Sequence, residues 1–447
     1  MLPLNYNEGW NAYLAVAAKA GTLYPPPCIG VTNNYPPLSF LLIGGLTSLL
    51  PDAIFAGRVV AWAALICVAV CLYAIPRAVG SDRLAALFAP MLFLAALAEH
   101  FSLYVGTDDP QMLGHALMLA GLLVMVRTSG ARGAVVAAIF MAAGMFIKHS
   151  LLALPFAAGV WLLYVDRRRG LIFLTTLVSA GVIGLSLCFA VYGHDFVAGL
   201  LAPRVWSFTR AYQRPMTWLL PLQIPLAVPV LILLKPMRDR HGVLLLIYYV
   251  ASLAVGTLGA AGQGVIYNAF FDTLIAASLA GAHALGRFSE ILGQAARTPR
   301  LLTVAVVGGA LVVLGLSAAP RDVILLRPWI RHTEADAVRV RATVATIRAI
   351  SNPVICEQLA LCYWARRRFE IDMFNQTQSF RRHACSDVAF LRQIRARRYA
   401  AIVLEARGVR PRAHMTRPEW SAIRTNYAPI IGTRALAATI MKPRRLP

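Results

Sequence analysis

Charged side chains are scarce in this chain of 447 residues. They make up 14% of it, whereas soluble globular proteins are about a quarter charged. Hydrophobic residues reach 58%, and the mean hydropathy is +0.63. This composition excludes an ordinary cytosolic enzyme, a disordered chain and a disulfide-rich miniprotein. Most of the protein is therefore expected to lie in lipid.

Signatures of soluble enzymes and of metal sites are also missing. The sequence has no GxxxxGK[ST], HExxH or GxSxG pattern and no convincing GxGxxG. Its seven cysteines show neither CxxC nor paired Cys/His spacing, so no metal centre is indicated. Cys356, Cys362 and Cys385 lie near the C-terminus, where an oxidising compartment would allow a disulfide.

Positive charge is concentrated in the last third of the chain. Of the net charge of +23, residues 1–318 carry +8 and residues 319–447 carry +15. Hydropathy falls at the same point. We therefore predict a first exoplasmic loop with interfacial helices (1–52), a transmembrane helical domain (53–318) and a basic, soluble α/β domain (319–447). An outer domain tethered to a membrane favours anionic lipid or glycan as its partner over nucleic acid.

Charge-poor runs of roughly the 20 residues needed to cross a bilayer recur through the middle of the chain. They predict about ten transmembrane helices, two of them within 241–286 and separated by a turn at 259–264. The predicted fold class is thus an α-helical polytopic membrane protein with a small C-terminal α/β exoplasmic domain. The other runs are 59–76, 84–98, 110–126, 133–147, 149–165, 170–194, 215–234 and 301–320.

Arginines in alternate connections set the orientation of these helices. The positive-inside rule places clusters such as 167–169 in the cytoplasm. The first loop and everything after residue 319 then lie outside. The outer connection 195–214 is nevertheless basic, with Arg204 and Arg210, and indicates either an anionic ligand or a solvated loop. No apolar segment precedes the first loop, and we favour a truncated start over a tail that crosses unaided.

Three carboxylates lie in outer connections. Glu8 follows Asn7 in the first loop, and Asp108 and Asp109 precede Pro110 at the mouth of a span. Carboxylates at such places suit a general base or a cation site. The alternatives are an exposed loop carboxylate at position 8 and a helix N-cap before the proline. A cap accounts for only one of the two aspartates.

Two further polar features stand out in the apolar region. Lys148 is the only lysine between residues 20 and 234, and it is either a snorkelling membrane anchor or a phosphate ligand. Asn268 and Asp272 are four residues apart and so share one helix face. We predict that this face meets a cavity or a polar partner rather than lipid.

The order of these features resembles the GT-C superfamily of polytopic glycosyltransferases. The resemblance is to its bacterial branch near the aminoarabinose and mannosyl transferases that use polyprenyl-phosphate sugars, and it covers roughly residues 5–285. The features are Glu8, YPPL at 35–38, FAGR at 55–58, TDDP at 107–110, Lys148 and GQGVIYNAFFD at 262–272.

The resemblance implies roles for individual residues and leaves room for a divalent cation, with no certain cofactor. Many relatives have Asp-Glu where this chain has Asn7-Glu8, so a metal at that position is in doubt. The implied catalytic residues are Glu8, Asp108 and Asp109. The expected donor-phosphate ligands are Lys148, Arg204 and Arg210. The expected polar residues of the substrate cavity are Tyr35, Asn268 and Asp272.

The implied activity is inverting transfer of a sugar from a polyprenyl phosphate to a lipid, glycan or protein acceptor. It would occur on the outer face of a bacterial inner membrane, with membrane lipids as further partners. The main rival is a transporter or lipid flippase, which ten helices and an intramembrane aspartate would suit. Transporters, however, bind near the bilayer midplane, whereas the polar residues here lie in outer loops. A third alternative is a non-catalytic assembly partner that binds cell-surface polymer.

Overall fold

The computed structural model is mostly helical. It describes residues 1–50, 52–222, 226–227, 229–230, 239–295, 319–351, 353–405, 415–430 and 436–444. The predicted span 301–320 and the second half of the predicted span 215–234 fall largely outside these ranges, as does the predicted domain boundary at 318.

Twelve described helices precede the first strand. They are α1 (Asn7–Lys19), α2 (Leu38–Leu46), α3 (Ala53–Ala78), α4 (Arg83–His100), α5 (Gln111–Arg127), α6 (Ala131–Ile147), α7 (Ala153–Val165), α8 (Arg167–Leu200, interrupted at Gly193), α9 (Phe208–Leu219), α10 (Arg240–Ala260), α11 (Phe271–Ala295) and α12 (Ala319–Ala349).

The prediction of several apolar helices in the middle of the chain is confirmed. In the described part, five helices are long and apolar enough to cross a membrane, and α5, α6 and α7 are shorter apolar helices. The predicted turn at 259–264 lies between the end of α10 and a short 3-10 turn, Tyr267–Phe270, that leads into α11. The total of ten spans remains a prediction.

Aspartates begin four of these helices. Asp52, Asp82, Asp166 and Asp239 each accept a hydrogen bond from a backbone N–H in the first turn of α3, α4, α8 and α10. An N-cap carboxylate satisfies donors that the helix leaves unpaired. Four of the 20 acidic residues therefore cap helix N-termini.

Small residues let the helices pack closely. A Cβ on Gly144 of α6 would lie 3.2 Å from the carbonyl oxygen of Gly114 on α5, and a Cβ on Gly121 would lie 2.9 Å from that of Ala137. Close backbone approach at glycines is the usual way in which apolar helices associate in lipid. The first turn and the middle of α5 are thereby packed closely against α6.

The surroundings of Trp10 differ from those that the sequence indicates. Residues 8–20 (EGWNAYLAVAAKA) could form a short interfacial helix with Trp10 and Tyr13 at headgroup level. In the structure Trp10 is only 6% exposed, and its ring meets the edges of Tyr35 and Phe40 at 5.4 and 5.7 Å. The backbone of Gly9 also touches Ala360, since a Cβ there would lie 2.0 Å from its nitrogen. Helix α1 is therefore covered by the C-terminal region.

The C-terminal residues form a four-stranded mixed sheet with short helices. The strand order is β1-β2-β4-β3; β1 and β2 are parallel, and the other pairs are antiparallel. These elements are β1 (Val354–Cys356), α13 (Leu359–Trp364), α14 (Met373–Arg381), α15 (Val388–Arg395), β2 (Ala401–Glu405), α16 (Arg417–Asn426), β3 (Tyr427–Pro429) and β4 (Ala438–Pro443).

Two disulfides tie this region together. Cys356 is bonded to Cys362 within it, and Cys28 of the first loop is bonded to Cys385. The sequence drew attention to the three C-terminal cysteines but not to Cys28. A backbone hydrogen bond of 2.7 Å from Asp372 N–H to the carbonyl oxygen of Gly30 lies in the same contact. The first loop and the C-terminal region are thus joined covalently.

Candidate functional site

A cavity of about 700 Å³ lies where the first loop, the outer ends of the membrane helices and the C-terminal region meet. Its walls include α1, the start of α5, the loop after α8, the segment before α11 and the start of α14. Five predicted site residues line it together: Tyr35, Lys148, Arg204, Asn268 and Asp272.

Lys148 is held in the cavity wall by an amide network. Its Nζ donates to Gln111 Oε1 at 2.5 Å, and Asn268 Nδ2 donates to the same oxygen at 2.8 Å. Gln111 Nε2 in turn donates to the carbonyl oxygen of Asn268 at 2.7 Å. The ammonium also lies 5.4 Å from the centre of the Tyr35 ring. Lys148 is 8% exposed, so it does not extend to bulk water as a snorkelling lysine would.

The network continues inward to Asp272. Gln111 Nε2 lies 3.2 Å from His115 Nε2, and His115 Nδ1 lies 3.5 Å from Asp272 Oδ1. Tyr248 donates to that same oxygen at 2.7 Å. Asp272 therefore faces a cavity and buried partners, which agrees with the geometry expected for its helix face.

Glu8 lies behind the cavity in an ion pair with Arg58. Arg58 Nε and Nη2 donate to its two oxygens at 2.8 Å each, and the backbone N–H groups of Leu4 and Asp108 donate at 2.8 and 3.2 Å. The side chain is fully buried. Such a bidentate pair fixes geometry strongly. Glu8 therefore connects the first loop to α3 and to the aspartate pair.

Asp108 is packed against the backbone of α3. A Cβ on Gly57 would lie 2.0 Å from its Oδ1, so only glycine leaves room there. The side chain is buried, and its carboxylate oxygens have no hydrogen-bond partner among the described residues. Burial raises the pKa of Asp108 well above its usual value, and the nearby carboxylates of Glu8 and Asp109 raise it further. Asp108 is thus favoured in its neutral form.

Of the three predicted catalytic carboxylates, Asp109 is the one most closely connected to the cavity lining. Its Oδ1 accepts from the backbone N–H of Gln111 at 2.9 Å, and its Oδ2 accepts from Asn7 Nδ2 at 3.4 Å. Both Asn7 and Gln111 line the cavity. The alternative that these aspartates cap a helix holds for one of them. Asp109 accepts from the first backbone N–H of α5, whereas the side chain of Asp108 accepts from no backbone N–H among the described residues.

The two outer-loop arginines differ in position. Arg204 lines the cavity, with its guanidinium 5.1 Å from the centre of the Phe374 ring. Arg210 donates to the backbone carbonyl oxygens of Ala261 and Val205 at 3.0 and 2.8 Å. Its guanidinium therefore connects two loops. Arg210 is not among the described residues that line the cavity. Arg210 therefore does not share the cavity with the other two predicted phosphate ligands, Lys148 and Arg204.

Several polar residues of the site were missed from the sequence. Gln111 and His115 lie on one face of α5, directly after the aspartate pair, and this i,i+4 spacing in an apolar helix was a usable signal. Asp372 and Arg382 also line the cavity. No sequence pattern links residues so far along the chain to the first loop, although the cysteine at position 28 was a hint.

The acidic cluster formed by Glu8, Asp108 and Asp109 does not fit a divalent cation. Arg58 occupies both oxygens of Glu8, and a guanidinium there competes with a metal for the same lone pairs. Within the ranges that the structure describes, no group of three or more His, Cys, Asp or Glu could hold a metal ion.

A family model described as dolichyl-phosphate-mannose-protein mannosyltransferase matches residues 34–193. That segment includes Tyr35, the aspartate pair and Lys148. By sequence alone, no curated protein matches the chain.

Solved structures with a similar fold cover nearly the whole chain. ArnT from Cupriavidus metallidurans in the apo state has a TM-score of 0.60 at 14% identity, covering 97% of this chain and 92% of ArnT. The same protein bound to undecaprenyl phosphate gives 0.58 at 14% identity, with 97% and 93% covered.

An oligosaccharyltransferase from Archaeoglobus fulgidus, tethered to an acceptor peptide, gives a TM-score of 0.52 at 12% identity, with 94% of this chain and 68% of that chain covered. The family model matches one segment of the chain, and the solved structures, at 12–14% identity, match its fold. The resemblance of this chain to the GT-C superfamily of polytopic glycosyltransferases is therefore confirmed.

Proposed function

We propose that this protein transfers a sugar from a polyprenyl phosphate to a lipid, glycan or protein acceptor. The observation that carries the proposal is the cavity in which Lys148 and Arg204 line one space beside the buried acidic cluster. The ArnT structure with undecaprenyl phosphate supports it, since its fold matches almost the full length of the chain.

The donor phosphate would bind at Lys148. The ammonium is held at a defined position by Gln111, and a fixed point charge suits a phosphate. Arg204 supplies a second positive charge in the same cavity. Together they would stabilise the charge that develops on the leaving phosphate.

Asp109 is the residue that we propose as the general base. Among the three predicted carboxylates, Glu8 is paired with Arg58, and the raised pKa of Asp108 favours its neutral form. Asp109 accepts hydrogen bonds from Asn7 and Gln111, which both line the cavity, so it is the one of the three that is connected directly to the cavity wall. We propose that Glu8 and Asp108 position it.

The reaction would then follow from this arrangement. The acceptor hydroxyl gives its proton to Asp109 as its oxygen bonds to the anomeric carbon. The bond between that carbon and the phosphate oxygen breaks, and the polyprenyl phosphate leaves with the negative charge. Attack opposite the leaving group inverts the configuration.

The location belongs to the same proposal. We propose a bacterial inner membrane, about ten spans, and an exoplasmic cavity and C-terminal domain. The disulfide between Cys28 and Cys385 supports a common, oxidising side for the first loop and the C-terminal region. Reporter fusions should place residue 168 inside and residue 400 outside.

A panel of polyprenyl-phosphate sugars, presented to the purified full-length protein in nanodiscs, tests the activity. Release of polyprenyl phosphate with at least one sugar, dependent on an acceptor, is the expected result. The transporter alternative rests on Asp272, which lines the cavity from an apolar helix. Movement of a lipid-linked sugar across sealed vesicles without release of polyprenyl phosphate would favour that alternative instead.

A further inference from the structure

A second cleft, of about 470 Å³, lies between α1, the start of α3 and the C-terminal region. Three arginines line it: Arg348 from the end of α12, and Arg366 and Arg367 from the segment after α13. Neither the acidic cluster nor Lys148 lines this cleft. It is therefore a separate site from the catalytic cavity.

The arginines are built into the wall of the cleft. Arg348 Nη2 donates to the carbonyl oxygen of Trp364 at 2.8 Å, and Arg367 Nη2 donates to the carbonyl oxygen of Arg348. Tyr13 of α1 donates to the carbonyl oxygen of Arg367 at 2.8 Å. These bonds fix the backbone around three guanidinium groups, while Arg348 and Arg366 remain exposed.

Aromatic side chains connect the cleft to the first turn of α3. Tyr363 OH accepts from the backbone N–H of Ala53, and Trp364 Nε1 donates to Asp52 Oδ2, both at 2.9 Å. The other oxygen of Asp52 accepts from Phe55 N–H. The carboxylate that lines the cleft is therefore already bonded on both oxygens. Tyrosine and tryptophan are enriched where a membrane meets water.

Exposed apolar side chains begin on α3 directly after Asp52, which lines the cleft. One face of α3 is an exposed apolar stripe that starts in the first turn, with Phe55 55%, Trp62 50% and Ile66 61% exposed. Val16 also lines the cleft and is exposed. The exposed apolar stripe therefore begins within one turn of Asp52, a residue that lines the cleft together with the three arginines.

We propose that this cleft binds the headgroup phosphate of an anionic phospholipid from the surrounding bilayer, with the acyl chains along the exposed stripe of α3. Arginine matches phosphate oxygens with several N–H donors at once. The apolar stripe offers a surface for acyl chains. A free phosphate has no acyl chains, so the stripe favours a lipid as the ligand. The site holds the outer wall of the molecule to the membrane, whether or not the protein transfers a sugar.

Native mass spectrometry of the full-length protein with phosphatidylglycerol or phosphatidylcholine tests the proposal. The double variant Arg348→Gln/Arg366→Gln removes two charges from the cleft. Each basic residue near an anionic surface changes affinity roughly five-fold, so the affinity for phosphatidylglycerol should fall about 25-fold. Phosphatidylcholine binding should be weak in the wild type and unchanged.

The matched control is Arg392→Gln/Arg395→Gln, which removes two exposed charges from α15, away from the cleft. An equal loss in both double variants would overturn the proposal in favour of general electrostatic attraction. Full displacement of the lipid by millimolar inorganic phosphate would overturn it in favour of a free-phosphate site. If the double variant does not fold, Arg366→Gln alone should still lower the affinity about five-fold, and no change there would also overturn it.

Discussion

The ammonium of Lys148 and the side-chain oxygen of Gln111 are joined by a hydrogen bond of 2.5 Å at the wall of the cavity. The orientation of the amide is determined by its partners, because turning it over would put an NH₂ group against the ammonium. The oxygen also accepts from Asn268, so α5, the end of α6 and the segment before α11 meet at one atom. A lysine fixed in this way presents its charge at a constant position.

Lys148→Met should weaken binding of a polyprenyl-phosphate donor by about 1.5–3 kcal/mol, the size of a hydrogen bond to a charged group. Lys148→Arg should restore only part of this affinity, because a planar guanidinium does not occupy the position of an ammonium. Donor affinity in nanodiscs is the measurement. Equal affinity in all three proteins, with a lower melting temperature for the methionine variant, would leave Lys148 as a structural anchor.

Asp109→Asn should lower turnover by about 10²–10⁴, because it removes the proposed base but keeps the size and much of the hydrogen bonding of the side chain. Single-turnover release of polyprenyl phosphate measures this. The control is Asp82→Asn at the start of α4, where asparagine caps as well as aspartate and activity should not change. Wild-type turnover in Asp109→Asn would remove it from the chemistry.

Asp108→Asn should stabilise the protein, and increasingly so as the pH rises. The raised pKa means that the folded state holds its proton more tightly than the unfolded state. The unfolded chain therefore loses the proton first, and the wild type loses stability as the pH rises from the unfolded pKa toward the folded one. Asparagine has no proton to lose. Melting temperatures of both proteins should be compared from about pH 4, near the unfolded pKa, upward; a difference independent of pH would show that Asp108 is not buried as a neutral group.

Gly57→Ala should destabilise the protein by about 1–3 kcal/mol, the usual cost of overpacking. Its Cβ would meet the carboxylate of Asp108 at 2.0 Å, so activity should fall as well if the aspartate pair is displaced. Gly45→Ala is the matched control, because a Cβ there meets nothing within 4 Å. It should be neutral or stabilising by up to about 1 kcal/mol. Equal stability in the two variants would contradict this account of the glycine.

The parts of the molecule that the sequence predicted well depend on local patterns. Hydropathy alone located α3, α4 and α10, because long apolar helices are specified by their own composition. The order of Glu8, the aspartate pair and Lys148 was also readable. The roles within this set were not, because they depend on partners far along the chain, such as Arg58 for Glu8.

The burial of α1 was missed for a related reason. Trp10 and Tyr13 are typical of a membrane surface, and nothing nearby in the sequence indicates that they pack elsewhere. In the structure Tyr13 stacks on Phe369 at 4.7 Å, a contact between residues more than 350 positions apart. Only tertiary packing decides whether such an aromatic helix faces headgroups or protein.

Reduction of the disulfide between Cys28 and Cys385 should loosen the wall of the cavity that Lys148 and Arg204 line. The bond joins the first loop to the segment after α14, which lines that cavity. Removing a native disulfide typically costs about 2–5 kcal/mol, so Cys28→Ser should lower the melting temperature and weaken donor binding. Cys67→Ser is the control, because that cysteine is unpaired and exposed on α3.

A non-reducing digest of protein extracted from membranes should yield one peptide pair linked through Cys28 and Cys385. A cytoplasmic C-terminal region would be kept reduced, and both cysteines would then be found as free thiols. Free thiols at both positions would contradict the proposed orientation and the disulfide between Cys28 and Cys385. The expected result is linked peptides, together with a lowered melting temperature for Cys28→Ser and an unchanged one for Cys67→Ser. This result would place the first loop and the C-terminal region on one oxidising side of the membrane. A lipid-linked sugar in the outer leaflet would meet its acceptor on that side.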